Sequence, residues 1–166
     1  MDFEISKEDK KLAQVPHTLF VLNVLLFNLL MAPAGIVLDV GMYGFLLPLL
    51  CSLTIIAFIY LRGRKQSRWF VEMHWRLSFR RCQFLLLGYS ISAMLGGVSW
   101  LISINANDAK MAEIMFMAIS RVSVVPTLLA VMVTVVLEAG AQHLVNSGTV
   151  PDRLVEKFPA PAYLAD

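Results

Sequence analysis

The sequence predicts an all-α, polytopic membrane protein with about four transmembrane helices and a basic cytoplasmic connector between the second and the third. Two observations lead to this prediction. Of the 166 residues, 58% are hydrophobic and only 16% are charged, whereas soluble domains contain about 25% charged residues. The few charges are also bunched, so long segments contain none. A chain of this length has too little interior to bury four such segments, and none of them has the polar face of a soluble helix.

The first two apolar segments form a predicted helical hairpin, 15–61. Residues 12–38 and 40–61 contain no Asp, Glu, Lys or Arg. A helix needs roughly 20 apolar residues to cross a hydrocarbon core about 30 Å thick, and both segments reach that length. Only a tight turn can join them. The preceding polar tail, 1–14, is expected in the cytoplasm, with Ser6 in position to open a short helix.

The second predicted hairpin covers residues 83–139. Its first apolar segment, 82–107, carries no charge, while Arg121 interrupts the apolar character of the second. Two interpretations of the second segment stay open. One is a single helix over 112–139 that contains Arg121. The other is a short interfacial helix over 109–121, followed by a true span that begins at the next residue.

The distribution of basic residues predicts the orientation. The connector, 62–82, holds seven Arg or Lys residues and one Glu, a net charge of +6. Cytoplasmic loops carry an excess of Lys and Arg, so the connector is expected in the cytoplasm. Four spans then place the tails 1–14 and 140–166 there as well, the second with a short helix at 151–158. The expected location is a bacterial inner membrane with both termini cytoplasmic.

The connector also has an unusual pattern. From Trp69 to Arg80, odd positions are apolar and even positions are polar except Phe70. A period of two is typical of a strand, and a helical wheel fits less well, so the choice between helix and strand stays open. The segment is expected to lie on anionic lipid or on a partner protein. The residues expected to dock are Arg62, Arg64, Lys65, Arg68, Trp69, Trp75, Arg76, Arg80 and Arg81.

Two charges are expected within or beside the lipid, Arg121 and Asp39. A charge at the bilayer centre costs at least roughly 2.5–3.5 kcal/mol and marks a functional site by default. At the predicted depth, Arg121 can instead extend outward to the interface. It can also pair with Asp39, Asp108 or Glu113. A functional role, as an anion ligand or part of a polar path, stays open.

Small residues recur at four-residue spacing along the third span. Gly88, Ser92 and Gly96 form one row, and Ala93 and Gly97 form a second. Such rows let helix backbones approach closely inside lipid. The rows are expected to pack helices, either within one subunit or against another.

No catalytic or cofactor-binding pattern is present in the sequence. His17, His74 and His143 lack the short spacings of metal sites, and we interpret them as interfacial. Glu113 and Glu138 lie at the ends of the fourth span rather than at its middle. There is no Walker loop, GxGxxG, HExxH or GxSxG. We therefore expect no enzyme, metal or cofactor, and no nucleic-acid partner.

These observations predict a non-catalytic integral membrane subunit of a larger assembly, such as a secretion, conjugation, respiratory or transport complex. The chain would supply helix packing and partner docking, with lipid and other membrane or cytosolic subunits as its partners. The alternative is a small channel or carrier with a polar path around Arg121, Asn23 and Asn28. The sequence identifies neither the complex nor a substrate.

Overall fold

The computed structural model describes residues 1–38, 40 and 43–161, except the side chain of Ile36. Within them the chain is helical and has no strand beyond one antiparallel bridge between Asp2 and Thr149, which confirms the predicted all-α class. The elements are α1 (Lys7–Asn23), a π-helical segment (Val24–Met31), α2 (Ala32–Val37), α3 (Tyr43–Gly63), α4 (Trp69–Ile104), α5 (Ala109–Val122), α6 (Val125–Ser147) and α7 (Asp152–Lys157).

Four of the described helical stretches are long and apolar enough to cross a membrane. They are Lys7–Gly35, Tyr43–Gly63, Trp69–Ile104 and Ala109–Ser147. The first begins ahead of the predicted span because Ser6 caps α1: its hydroxyl accepts a hydrogen bond from the Asp9 amide at 3.1 Å. Most of the predicted N-terminal tail is therefore helical.

Helix α3 packs against α1, the π-helical segment and α2. Its buried residues recur every three or four positions, as one face of a helix requires. They are Gly44, Pro48, Ser52, Ile56, Ile59 and Gly63. A Cβ added at Gly35 would lie 2.6 Å from the Gly44 Cα, so glycine at both positions allows the two backbones to touch.

The connector is helical from Trp69 onward, so the strand interpretation of its alternating pattern is wrong. A lone strand would leave its backbone groups unpaired, whereas a helix satisfies them internally. The pattern misleads because α4 buries polar residues on its inner side, namely His74, Ser78 and Arg81. Their spacing of four and three residues is the helical period.

The fourth apolar segment is divided into α5 and α6 by a turn at residues 123–124. The interpretation of one unbroken helix over 112–139 is therefore wrong. The Asp108 carboxylate caps α5 by accepting hydrogen bonds from the amides of Lys110 and Met111. Pro126 falls in the first turn of α6, where its missing N–H removes no helical hydrogen bond.

The chain forms two compact units, Met1–Cys82 with Val135–Asp166, and Gln83–Thr134. We call them unit 1 and unit 2. Unit 1 contains a hydrophobic core drawn from the N-terminal segment, the first turns of α4 and the C-terminal part of the chain. Its buried members are Ala13, Phe70, Met73, Val145, Val150, Leu154 and Val155, with Phe3, Ile5, Trp69, Leu77 and Phe158 packed against them.

The C-terminal segment of unit 1 is held by the N-terminal one. The Met1 amino group donates to the Val150 carbonyl at 3.1 Å and to the Asp152 carboxylate at 2.9 Å. The Phe3 amide donates to the Gly148 carbonyl at 3.1 Å. The expected short helix at 151–158 is present as α7. The Pro- and Gly-containing tail thus has contacts within its own chain.

Candidate functional site

A cluster of buried polar side chains lies where α1, α4 and α6 meet in unit 1. It contains His17, His74, Ser78, Arg81 and Glu138, and none of them is more than 8% exposed. We call these five residues the polar cluster. Burial of ionisable groups is costly unless they are paired and hydrogen-bonded, so their presence together requires an explanation.

Helical periodicity brings the cluster together. On α1, His17 lies on the same buried face as Ala13 and Phe20. On α6, Glu138 is followed on its buried face by Ala141 and Val145. Each polar residue therefore occupies an inward position of its helix, where an apolar residue would normally lie.

The Glu138 carboxylate is the centre of the cluster. Its Oε2 accepts a hydrogen bond from Arg81 Nη1 at 2.8 Å, and its Oε1 lies 2.5 Å from His17 Nδ1. The His17 Nε2 lies 3.1 Å from His74 Nδ1. Ser78 Oγ donates to the Pro16 carbonyl at 3.1 Å and so fixes α4 to α1. Four functional groups are therefore connected in series, from the guanidinium to the second imidazole.

The series ends at an unpaired atom. The Nε2 of His74 is buried and has no hydrogen-bond partner among the described residues. One side of this ring packs on the Phe70 ring, with a centroid distance of 4.6 Å, and the His17 ring meets it edge-on at 5.3 Å. Buried polar atoms without a partner are rare and cost about 1–3 kcal/mol each. The Nε2 atom is therefore the most unusual feature of the cluster.

The interfacial interpretation of the histidines is wrong for His17 and His74, both of which are 0% exposed. It failed because the approach of α4 and α6 to α1 removes both rings from any interface. His143 is exposed and lies outside the cluster. Within the described residues, no group of three or more His, Cys, Asp or Glu side chains is placed to hold a metal ion.

Several residues expected to dock instead contact their own chain. Arg68 pairs with Asp9 at 2.6 Å and Glu8 at 3.0 Å, and hydrogen bonds to Asp9, then Glu8, raise the pKa of its guanidinium above the ordinary value. The Trp69 indole donates to the Phe158 carbonyl at 3.1 Å.

Three further members of the docking set also lie against the protein. Trp75 is buried and meets the Phe58 ring edge-on, with a centroid distance of 6.1 Å. Arg76 pairs with Glu72 at 2.6 Å. Arg81 belongs to the polar cluster. The exposed basic residues of the set are Arg62, Arg64, Lys65 and Arg80, together with the paired Arg68.

The residues of the expected polar path are divided between the units. Asn23 and Asn28 belong to unit 1, and Arg121 to unit 2. The Asn23 residue is 1% exposed, and within the part of the chain that the structure describes neither its side-chain oxygen nor its side-chain nitrogen has a hydrogen-bond partner. The Asn28 amide donates to the Asn23 backbone carbonyl at 3.4 Å. Arg121 is exposed on α5, while Asp39, one of the three partners expected for it, lies outside the described residues.

The two rows of small residues differ in their surroundings within unit 2. A Cβ added at Gly88 would lie 2.5 Å from the Ala130 Cβ, and Ser92 Oγ lies 2.8 Å from the Thr127 hydroxyl. Gly96 is near the Ser123 hydroxyl, 4.0 Å from where a Cβ would lie. The first row is therefore packed within the chain.

The second row is open. Ala93 and Gly97 are exposed, and a Cβ added at Gly97 would meet no described atom within 4 Å. Its surface is free for lipid or for another helix.

Sequence reasoning missed the polar cluster. The available signal was the 4-and-3 spacing of His74, Ser78 and Arg81, together with an opposite charge at Glu138 near the same end of the last span. Comparisons with family models, with curated proteins and with solved structures gave no match to this chain. The chemistry of the residues themselves is therefore the basis for a functional proposal.

Proposed function

We propose that this chain is an integral membrane protein that crosses the bilayer four times. In the most apolar window of each candidate span, only 17–28% of the residues are buried within the chain. The outward surface includes Leu30, Met94, Met132 and Val136, each more than 60% exposed. Exposed apolar surface costs about 25 cal/mol per Å² in water, and lipid removes that cost. The charges of the polar cluster lie inside, as membrane proteins require.

The proposed orientation places the connector and both termini in the cytoplasm, in a bacterial inner membrane. Its support is the net positive charge of the connector and the even number of spans. Single cysteines at Lys65 and Asn107, in a chain without Cys51 and Cys82, test it. An impermeant thiol reagent added to intact cells should label residue 107 and not residue 65, and the reverse result would contradict the orientation.

We further propose that the protein is a non-catalytic subunit of a larger membrane assembly. The observation that carries this proposal is α5: none of its 14 residues is buried, although Ile114, Phe116 and Met117 are large and apolar. The same helix presents Arg121 outward. Lipid can cover the apolar side chains but is a poor environment for an arginine, whereas a partner helix with an acidic group suits both.

A photo-crosslinking experiment tests the subunit role. A photoreactive amino acid at Gly97, on the open small-residue row, should capture a discrete membrane protein in living cells. The same reagent at Ile91, which lies about 120° around α4 from Gly97 and is 37% exposed, should capture mainly lipid. The proposal would be contradicted by two results together. Both positions would capture lipid equally, and the protein purified in mild detergent would be a monomer or homodimer with no companion protein.

A small channel or carrier is the second candidate. The observation that favours it is the unpartnered amide of Asn23 in an apolar segment, because such a group is suited to meet a passing polar solute. Substitution Asn23→Leu should abolish flux if the amide contacts the solute. If the amide is only a packing defect, the same substitution should stabilise the protein and leave transport unchanged. Arg121→Ala separates the candidates further: it should alter assembly in a subunit and flux in a carrier.

A further inference from the structure

We propose that Glu138, His17 and His74 form a proton-binding row that accepts a proton at the Nε2 atom of His74 and holds the added charge on His17, beside Glu138. This inference does not depend on whether the protein is a subunit or a carrier. It rests on three observations: the linear order of the groups, their complete burial, and the unpaired nitrogen at one end.

The unloaded row follows from charge balance. Arg81 and Glu138 form an ion pair at 2.8 Å, so the cluster is neutral when both histidines are neutral. An uncompensated charge at a fully buried position would be costly. The His17 Nδ1–H then donates to Glu138, and the His17 Nε2 must accept from the Nδ1–H of His74. This arrangement leaves the Nε2 of His74 as a lone pair that faces no donor.

Loading adds one proton and breaks no bond other than N–H bonds. A proton from solvent binds the His74 Nε2, and the Nδ1–H proton of His74 passes across the 3.1 Å contact to the His17 Nε2. His74 ends neutral in the opposite tautomer, and His17 becomes an imidazolium with N–H groups toward both neighbours. The positive charge therefore moves from the end of the row to the position next to a carboxylate.

The surroundings determine which group takes the charge. From α4, the Arg81 guanidinium already places one cation in the cluster, paired with Glu138, so a second positive charge is held better beside the carboxylate than at the far ring of the row. Cys82, the next residue of α4, is also buried, and Glu138 is the acidic group that α6 contributes. From α1 the group is His17 itself. Because the Arg81 guanidinium occupies only Oε2, the carboxylate keeps Oε1 for the imidazolium.

The proton would enter from solvent through the turn after α6. The backbone carbonyl of Thr149 lies within interaction range of the His74 ring, although it makes no hydrogen bond to Nε2. The Thr149 side chain is half-buried and is bonded to Asp2 and Ser147, both of which are exposed. A local opening of this turn would connect the unpaired nitrogen with water, without separating α1, α4 and α6.

Nitrogen-15 NMR of the full-length protein in detergent micelles, with labelled histidines, tests the proposal. The pH is lowered across the range in which histidine titrates, and an H143Q variant assigns the exposed ring. The His17 and His74 signals should change with one common midpoint and one proton taken up between them. His17 should become protonated on both nitrogens, while His74 stays neutral and changes from the Nδ1–H to the Nε2–H tautomer.

Three results would overturn the proposal. In the first, the two rings titrate with separate midpoints. In the second, His74 rather than His17 becomes protonated on both nitrogens. In the third, neither ring changes while the protein stays folded. Loss of the native spectrum before either ring changes counts against it equally. As a second measurement, in the H143Q background, H74Q should remove the single-proton uptake seen by calorimetry, whereas T18S, at an exposed position beside His17, should retain it; unchanged uptake in H74Q would contradict the assigned entry point.

Discussion

Removal of the Glu138 carboxylate by Glu138→Ala should destabilise the protein strongly. The change leaves Arg81, whose side chain is 10% exposed, as a buried cation without a partner, and it removes the acceptor of His17. Breaking a buried ion pair from one side costs about 3–5 kcal/mol. By the scaling for chains of 150–250 residues, about 2–4 °C per kcal/mol, the melting temperature should fall by about 6–20 °C.

The double substitution Arg81→Met with Glu138→Leu should recover most of this loss. It removes both charges together, so the remaining cost is the unsatisfied N–H of His17, about 1–3 kcal/mol. The single substitutions Arg81→Met and Glu138→Leu should therefore be far from additive, as expected for groups in direct contact. Glu113→Ala is the matched control, because Glu113 is an exposed acid and its loss should change stability by less than about 0.5 kcal/mol.

Cys82 supplies the assay. Its side chain is 0% exposed and forms no disulfide, so a thiol-reactive fluorophore should label it only on unfolding. In a Cys51→Ala background, the fluorescence increase on heating reports the melting of unit 1. The reasoning about the polar cluster is wrong if Glu138→Ala changes the free energy of unfolding by less than about 0.5 kcal/mol. It is also wrong if the double variant loses as much free energy of unfolding as its two single substitutions together.

Three further predictions concern backbone packing and the C-terminal segment. Gly88→Ala should lose about 1–3 kcal/mol because its Cβ would clash with a neighbouring methyl group at 2.5 Å, whereas Gly97→Ala, in open space, should be neutral or stabilising. Gly148→Ala should lose about 1–3 kcal/mol from its φ of +75° and from contact with a backbone carbonyl at 2.6 Å, whereas Gly140→Ala should gain about 0.5–1 kcal/mol. Trp69→Phe should cost about 0.5–1.5 kcal/mol by loss of one hydrogen bond and make the segment after α6 more sensitive to proteolysis. The thiol assay measures the stability of the Gly148, Gly140 and Trp69 variants, which lie in unit 1, and the loss of helical circular dichroism on heating measures the Gly88 and Gly97 variants in unit 2. Equal effects within either glycine pair would contradict the packing described.

Helix positions were predictable from the sequence because length and apolar composition dominate them. The four segments without charges became helices in the described residues, and the Ser6 cap and the short helix near the C-terminus were found where expected. These features depend on local chemistry: a hydroxyl beside free amides, a proline in a first turn, and an unbroken run of apolar residues.

The connector and the polar cluster were not predictable in the same way. Apolar and polar residues do alternate from Trp69 to Arg80, but other elements cover several sides of that helix. A single apolar stripe therefore does not mark its buried face. The sequence placed Glu138 at the end of the last span, but α6 continues to Ser147, and the tertiary contact with Arg81 and His17 makes Glu138 a buried group. A single sequence does not show which helix ends meet.

The central claim is that lipid covers the apolar helices, and membrane fractionation tests it most directly. After cell lysis without detergent, the protein should sediment with the membranes, remain there through an alkaline wash, and enter the supernatant only when detergent is added. Recovery of the folded chain in the supernatant without detergent would contradict the claim.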